Sequence, residues 1–191
     1  MSERARLIDL PDGIHYGVPA EVYHERVLGV VSNSALSQVA RTPRHYRAWV
    51  DGLDKESPAL DFGRAFHCAL LEPERFALDF PILPEFKGTG SVAAREGWIA
   101  SQGPGAQPIK KDTADKIAAM VESVQSHPIA RHSILNGASE ATLLWTDEQT
   151  GLRHKARADY YRQDKAMLLE VKTCRDASPA GFARAIADYR Y

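Results

Sequence analysis

Glu170 and Lys172 stand two residues apart near the end of an apolar run, "MLLEVKT" at 167–173. Side chains on a strand alternate with a period of two, so these charges share one face while Leu169 and Val171 take the other. A carboxylate beside an ammonium at the end of a buried strand is either a structural ion pair or a working site. Two further acids bear on that choice. "SEATLLWTD" (139–147), "LRHKARADYYR" (152–162) and "AMLLEVKT" (166–173) read as strands joined by the turn sequences "EQTG" and "QDK". A turn centred near Gln149 and Thr150 sets Glu140 opposite Asp159, and one centred on Asp164 and Lys165 sets Asp159 opposite Glu170. The three carboxylates then lie side by side, neighbours about 5 Å apart.

Like charges so placed repel, and a divalent cation is the natural compensator. Mg²⁺ favours carboxylate oxygens and water, takes one or two protein carboxylates, and draws further ligands from phosphate. Lys172 then positions or activates a water, or stabilises charge developing on the phosphate. The implied chemistry is metal-assisted phosphodiester hydrolysis. Each residue also has a plain reading. Glu170 and Lys172 suit a surface ion pair, Asp159 a partner for Arg157 or Arg153, Glu140 a solvent-facing strand position, and His67 a satisfied core histidine.

The elements that must position these groups follow from periodicity. "SNSALSQVARTPRHYRAWVDG" (32–52) opens with serine and asparagine caps, spaces Leu36, Val39 and Ala40 as a helical face, and is divided in two by Pro43. "SPALDFGRAFHCALLEPERF" (57–76) is an amphipathic helix through Phe62, Phe66, Ala69 and Leu70, ended by Pro73, with His67 at the edge of its apolar face. Residues 81–112, rich in glycine and proline, read as an irregular excursion with one short helix near Ala93 to Ala100. A helix over 114–126 follows, then a shorter piece after Pro128 and the strand meander. A last helix is capped by Ser178, with Pro179 at its first position.

The 191 residues, 44% hydrophobic and 26% charged, suit a single domain over 1–191 with a real core. The 24 Lys and Arg nearly cancel the 25 Asp and Glu, so any polyanion site is local. Cys68 and Cys174 form no disulfide framework and no zinc spacing, which reads as free thiols in a reducing compartment. The charged start lacks a long apolar run, so we expect a cytoplasmic protein without a membrane partner.

"ADYY" followed by "LLEVKT" matches the PD-(D/E)XK nuclease signature through Asp159, Glu170 and Lys172. Together with "VSNSALSQVARTPRHYRAW", "PALDFGRAFHCALLEPERF" and "LLEVKTCRDASPAGFARAIADYRY", the chain from about residue 15 onward resembles the catalytic domain of RecE-type exonucleases (exonuclease eight). The resemblance implies an α/β fold with a restriction-endonuclease-like core: a central mixed sheet with an antiparallel meander, flanked by helices. It implies a Mg²⁺-dependent exonuclease, with Mn²⁺ able to substitute, acting 5′ to 3′ on linear double-stranded DNA in phage or prophage recombination. It also implies a homo-oligomeric ring and a single-strand annealing recombination protein as partner. By the same resemblance His67 occupies an active-site position near the metal, and Ser34 the place of a serine near the terminal 5′-phosphate. The family continues past the last helix, so we expect the domain to be C-terminally incomplete at "YRY".

The roles then expected are Asp159 and Glu170 as metal ligands, with the Val171 carbonyl adding another and His67 helping with a second ion. Lys172 handles the water, and Glu140 is an outer acid or weaker ligand. Basic clusters at Arg41, Arg44, His45 and Arg47, at Lys110 and Lys111, and at Arg153, Lys155 and Arg157 are candidate phosphate contacts, Arg157 foremost by its parity with Asp159. The alternatives are a non-cleaving DNA-binding or assembly domain with a nuclease fold, and a structural domain with a charged sheet end.

Overall fold

The computed structural model describes residues 6–53 and 58–189. Ser57, at the head of the expected 57–76 helix, and the closing Arg190 and Tyr191 lie outside the described residues. Residues 6–31, for which the sequence offers no periodic element, carry several short elements. After a 3₁₀ turn at Leu7–Asp9 come strand β1 (Gly13–His15), helix α1 (Ala20–Tyr23) and strand β2 (Val30–Val31). Pieces of two to four residues carry no measurable period, and these strands are defined by distant partners.

Helices α2 (Asn33–Arg41) and α3 (Pro43–Val50) divide where Pro43 requires. Ser32 Oγ accepts from the Ala35 N–H at 3.2 Å, and Thr42 Oγ1 accepts from the His45 N–H at 3.2 Å, so each helix has a side-chain cap. The buried residue of α2 is Ala35, whereas Leu36 and Val39 are exposed. Helix α4 (Pro58–Leu71) gives way to α5 (Pro73–Asp79), because Pro73 starts a helix more readily than it continues one. Helix α6 (Ser91–Ala100) lies within the excursion, whose two ends are tied by a parallel bridge between Ile82 and Ile109. Helices α7 (Lys111–Ser126) and α8 (Pro128–Ser133) lead into strands β3 (Ala138–Thr146), β4 (Arg153–Arg162) and β5 (Met167–Leu169), and helix α9 (Pro179–Tyr189) follows.

The sheet is mixed. β1 pairs antiparallel with β3 and β3 antiparallel with β4, while the other edge of β4 is shared. Parallel β2 takes Arg153 and His154 there, and antiparallel β5 takes Tyr160 to Arg162. Helices flank this sheet, as the α/β reading expects. The core is centred on α4: Ala65, Phe66, Cys68, Ala69 and Leu70 bury against Phe80 and Ile117, with Val171 packed on the cluster. Each large apolar side chain buried this way contributes about 1.5–3 kcal/mol. Among the described residues no helix is long and apolar enough to cross a membrane.

One element departs from expectation. The strand expected over 166–173 ends at Leu169, so Glu170 and Lys172 lie beyond it and strand parity does not place them. The chain leaves the ladder because the Val171 N–H turns to the Asp159 carboxylate, and the Val171 side chain turns to the α4 core.

Gly137 marks the tightest approach at the start of β3. A Cβ there would fall 2.4 Å from the Tyr161 carbonyl oxygen and 2.5 Å from the Tyr160 ring, and the Gly137 N–H donates to Tyr160 Oη at 2.8 Å. Gly137→Ala is therefore expected to destabilise the fold by about 1–3 kcal/mol, read as a lower urea midpoint at unchanged slope.

Candidate active site

Three elements converge on Asp159. β4 carries it on the face shared with Arg157 and Lys155. α4 brings His67 Nδ1 to 3.7 Å from Asp159 Oδ1. The segment after β5 supplies the Val171 N–H, which donates to Asp159 Oδ2 at 2.6 Å. Gly63 lies one turn before His67 on the same side of α4, and a Cβ added there would meet Thr173 Oγ1 at 3.6 Å, so the helix runs close along residues 170–173.

The expected carboxylate row is recognisable in the register. The pairs Ser139 with Tyr160 and Ala141 with Ala158 bracket Glu140 opposite Asp159. The β4–β5 ladder follows the expected register as far as Tyr160 with Leu169 and stops one residue short of Glu170, whose neighbour Val171 then bonds Asp159 through its N–H. The ladder is broken at Glu140 itself: its φ of 53° lies in the left-handed region. A non-glycine residue held there costs on the order of 1–3 kcal/mol, and such strain gathers at functional sites. Glu140 Oε2 lies 3.3 Å from Arg157 Nη1. At the mouth of the site Lys172 Nζ donates to Glu170 Oε1, with side chains 44% and 52% exposed.

Electrostatics follow from this crowding. Burial pushes the Asp159 carboxyl above the usual carboxylate range, and the Glu170 charge adds to the rise, while the Val171 N–H, His67 and Lys172 oppose it. Burial likewise raises Glu140, and the Asp159 charge adds to it, against the pull of Arg157. Both acids therefore sit in surroundings that disfavour a second uncompensated negative charge.

Arg157 is placed differently from the expectation of a DNA contact. Its side chain is 7% exposed, donates to the Val18 carbonyl at 2.8 Å and to Thr142 Oγ1 at 3.0 and 3.1 Å, and pairs with Glu140. Its guanidinium lies 4.2 Å over the Tyr23 ring. Lys155 is buried too, donating to the carbonyls of Tyr23 and Glu25 at 2.6 and 2.8 Å, and Arg153 pairs with Asp12 at 2.8 Å. The basic run on β4 thus faces the protein. Ser34 and Arg44 are exposed on α2 and α3, and neither bonds to a carboxylate of the site among the described residues. Val171 enters through its N–H and its side chain. Tyr23, on the unpredicted helix α1, is the residue that sequence reasoning missed: a four-residue helix has no period to flag it.

Among the described residues no three His, Cys, Asp or Glu side chains close into a ready cage for a metal ion. The donors form an open set instead, with Asp159 and His67 inside and Glu170 at the mouth. Residues 32–191 match the PDDEXK-like domain of unknown function (DUF3799), and the chain belongs to that family, a nuclease-type superfamily whose nucleases generally use divalent metals. No curated protein matches the chain.

Two outcomes follow for the metal-free protein. Glu140→Gly relieves the left-handed backbone but leaves the buried Arg157 guanidinium without its carboxylate, and is expected to lower stability by about 1–3 kcal/mol. A carboxyl whose folded pKa exceeds its unfolded value binds more protons when folded, so stability present at low pH is lost as pH rises through the folded pKa. Asp159→Asn is therefore expected to raise the melting temperature near pH 7 and to flatten its decline as pH rises above the ordinary aspartate value. Thermal scans in chelator check both.

Proposed function

We propose that this member of the PDDEXK-like family is a Mg²⁺-dependent exodeoxyribonuclease, with Mn²⁺ able to substitute, that hydrolyses the phosphodiester bonds of linear double-stranded DNA from 5′ ends in phage or prophage-type recombination. The observation that carries the reading is the convergence on Asp159: a carboxylate one bond from Val171, beside His67, across from Glu140, with Glu170 and Lys172 next to it. The donor set fits a hard divalent ion. Mg²⁺ needs few protein carboxylates and completes its shell from water and phosphate, as an open site allows. Asp159 and Glu170 would hold it, with His67 and the Val171 carbonyl as further donors.

Such an ion supplies a polarised phosphate and a bound water of lowered pKa. Lys172 then moves from Glu170 to the attacking water or to a non-bridging phosphate oxygen, where its charge offsets the charge gained at phosphorus. The Val171 N–H holds one oxygen of the Asp159 carboxylate while the second lies toward His67. Glu140, tied to Arg157, is the outer acid we assign to take up a proton, and Arg157 acts through it as a positioning residue. Ser34 and Arg44, exposed, are the side chains we assign to the DNA backbone.

The test compares loss of linear and of covalently closed circular duplex DNA in Mg²⁺ for the wild-type chain and Lys172→Ala. The expected result is loss of linear DNA alone, slowed about 10²–10³-fold by the substitution. Salt-sensitive DNA binding without any cleavage by the folded wild type would instead favour a non-cleaving DNA-binding domain.

A further inference from the structure

We infer that Tyr23 belongs to the phosphate-binding machinery of the site, its phenol hydroxyl donating a hydrogen bond to a non-bridging oxygen of the nucleic-acid phosphodiester at Asp159 and Glu170. The inference rests on the nuclease reading and names a group that reading does not use.

The position of the ring is set by two cations of β4. Lys155 Nζ donates to the Tyr23 carbonyl at 2.6 Å and lies 5.1 Å from the ring centre, which fixes the backbone. The Arg157 guanidinium covers the ring at 4.2 Å and reaches Glu140 with its other side. Lys155, Arg157 and Asp159 alternate along one strand face, so a ring held over the first two stands next to the third. Burial above all, and then the charges of Glu140, Glu170 and Asp159, raise the phenol and hold it protonated, with Arg157 opposing.

The hydroxyl itself has no hydrogen-bond partner among the described residues, and it is not sealed from solvent. A phenol kept as a donor and clamped by its ring and backbone beside Arg157 and its partner Glu140 has an unmet donor close to where non-bridging oxygens would lie. A purely structural tyrosine would not lose anything when that hydroxyl is removed. Its ring contacts with Arg157 and Lys155 are equally available to phenylalanine.

The test is Tyr23→Phe, compared with the wild type and Asp159→Asn, using a linear duplex oligonucleotide in Mg²⁺. The expected result is a kcat lowered roughly 10-fold or more, with an unchanged melting temperature in chelator and unchanged affinity for Mn²⁺ alone. A kcat within about twofold of the wild type overturns the assignment, and so does a weakened affinity for Mn²⁺ alone, which would make Tyr23 part of the metal site instead. Absence of cleavage by the wild type is the separate failure of the nuclease reading. Tyr23 is then judged by Mg²⁺-dependent binding of the same duplex: weaker binding by Tyr23→Phe supports the assignment, and equal binding overturns it.

Discussion

The short hydrogen bond from the Val171 N–H to Asp159 is where strand, helix and loop are made to agree. It draws the chain out of the sheet after Leu169 and directs the Val171 side chain into the core around α4. It also sets residues 170–173 against the helix that carries His67. One N–H thus compensates part of the charge on a buried carboxylate and, in the same contact, brings Glu170 and Lys172 to the site. Like charges across a sheet need compensation. Here the protein provides it in portions, with Val171 and His67 for Asp159, Arg157 for Glu140, and Lys172 for Glu170.

The cations of β4 have a second consequence. Lys155 and Arg157 are buried among backbone carbonyls of the segment before β2, and burial depresses the Lys155 ammonium to about 8. Several carbonyl bonds, rather than a carboxylate partner, stabilise that buried charge. Losing both acceptors would leave the ammonium unpaired at a cost of several kcal/mol. The strand face that carries Asp159 is thereby roofed by α1, and the site opens on the side of Glu170 and Lys172.

Much of this was legible before any coordinates. Turn length determines register, so the turn centred near Gln149 and Thr150 placed Glu140 opposite Asp159, and the one near Asp164 and Lys165 gave the β4–β5 register as far as Leu169. The prolines 43, 73, 128 and 179 each open a helix where their fixed φ suits its first turn. What pattern reading missed is non-local. β1, β2 and α1 are too short for a period, and β5 stops early because of a hydrogen bond made twelve residues away in sequence. Strand parity put Arg157 on the face of Asp159, as found, but could not reveal that Val18, Thr142 and Tyr23 enclose it. The left-handed Glu140 gave no signal, since glutamate is not a residue that advertises such a backbone.

The account turns on Asp159 and Glu170 forming a divalent-ion site, and the most direct measurement is calorimetric titration of Mn²⁺ into the metal-free wild type and into Asp159→Asn. Saturable binding by the wild type, weakened more than about tenfold by the substitution while the fold is retained, is the result the account predicts. Equal heats from the two proteins, or no saturable binding by the wild type, would contradict it.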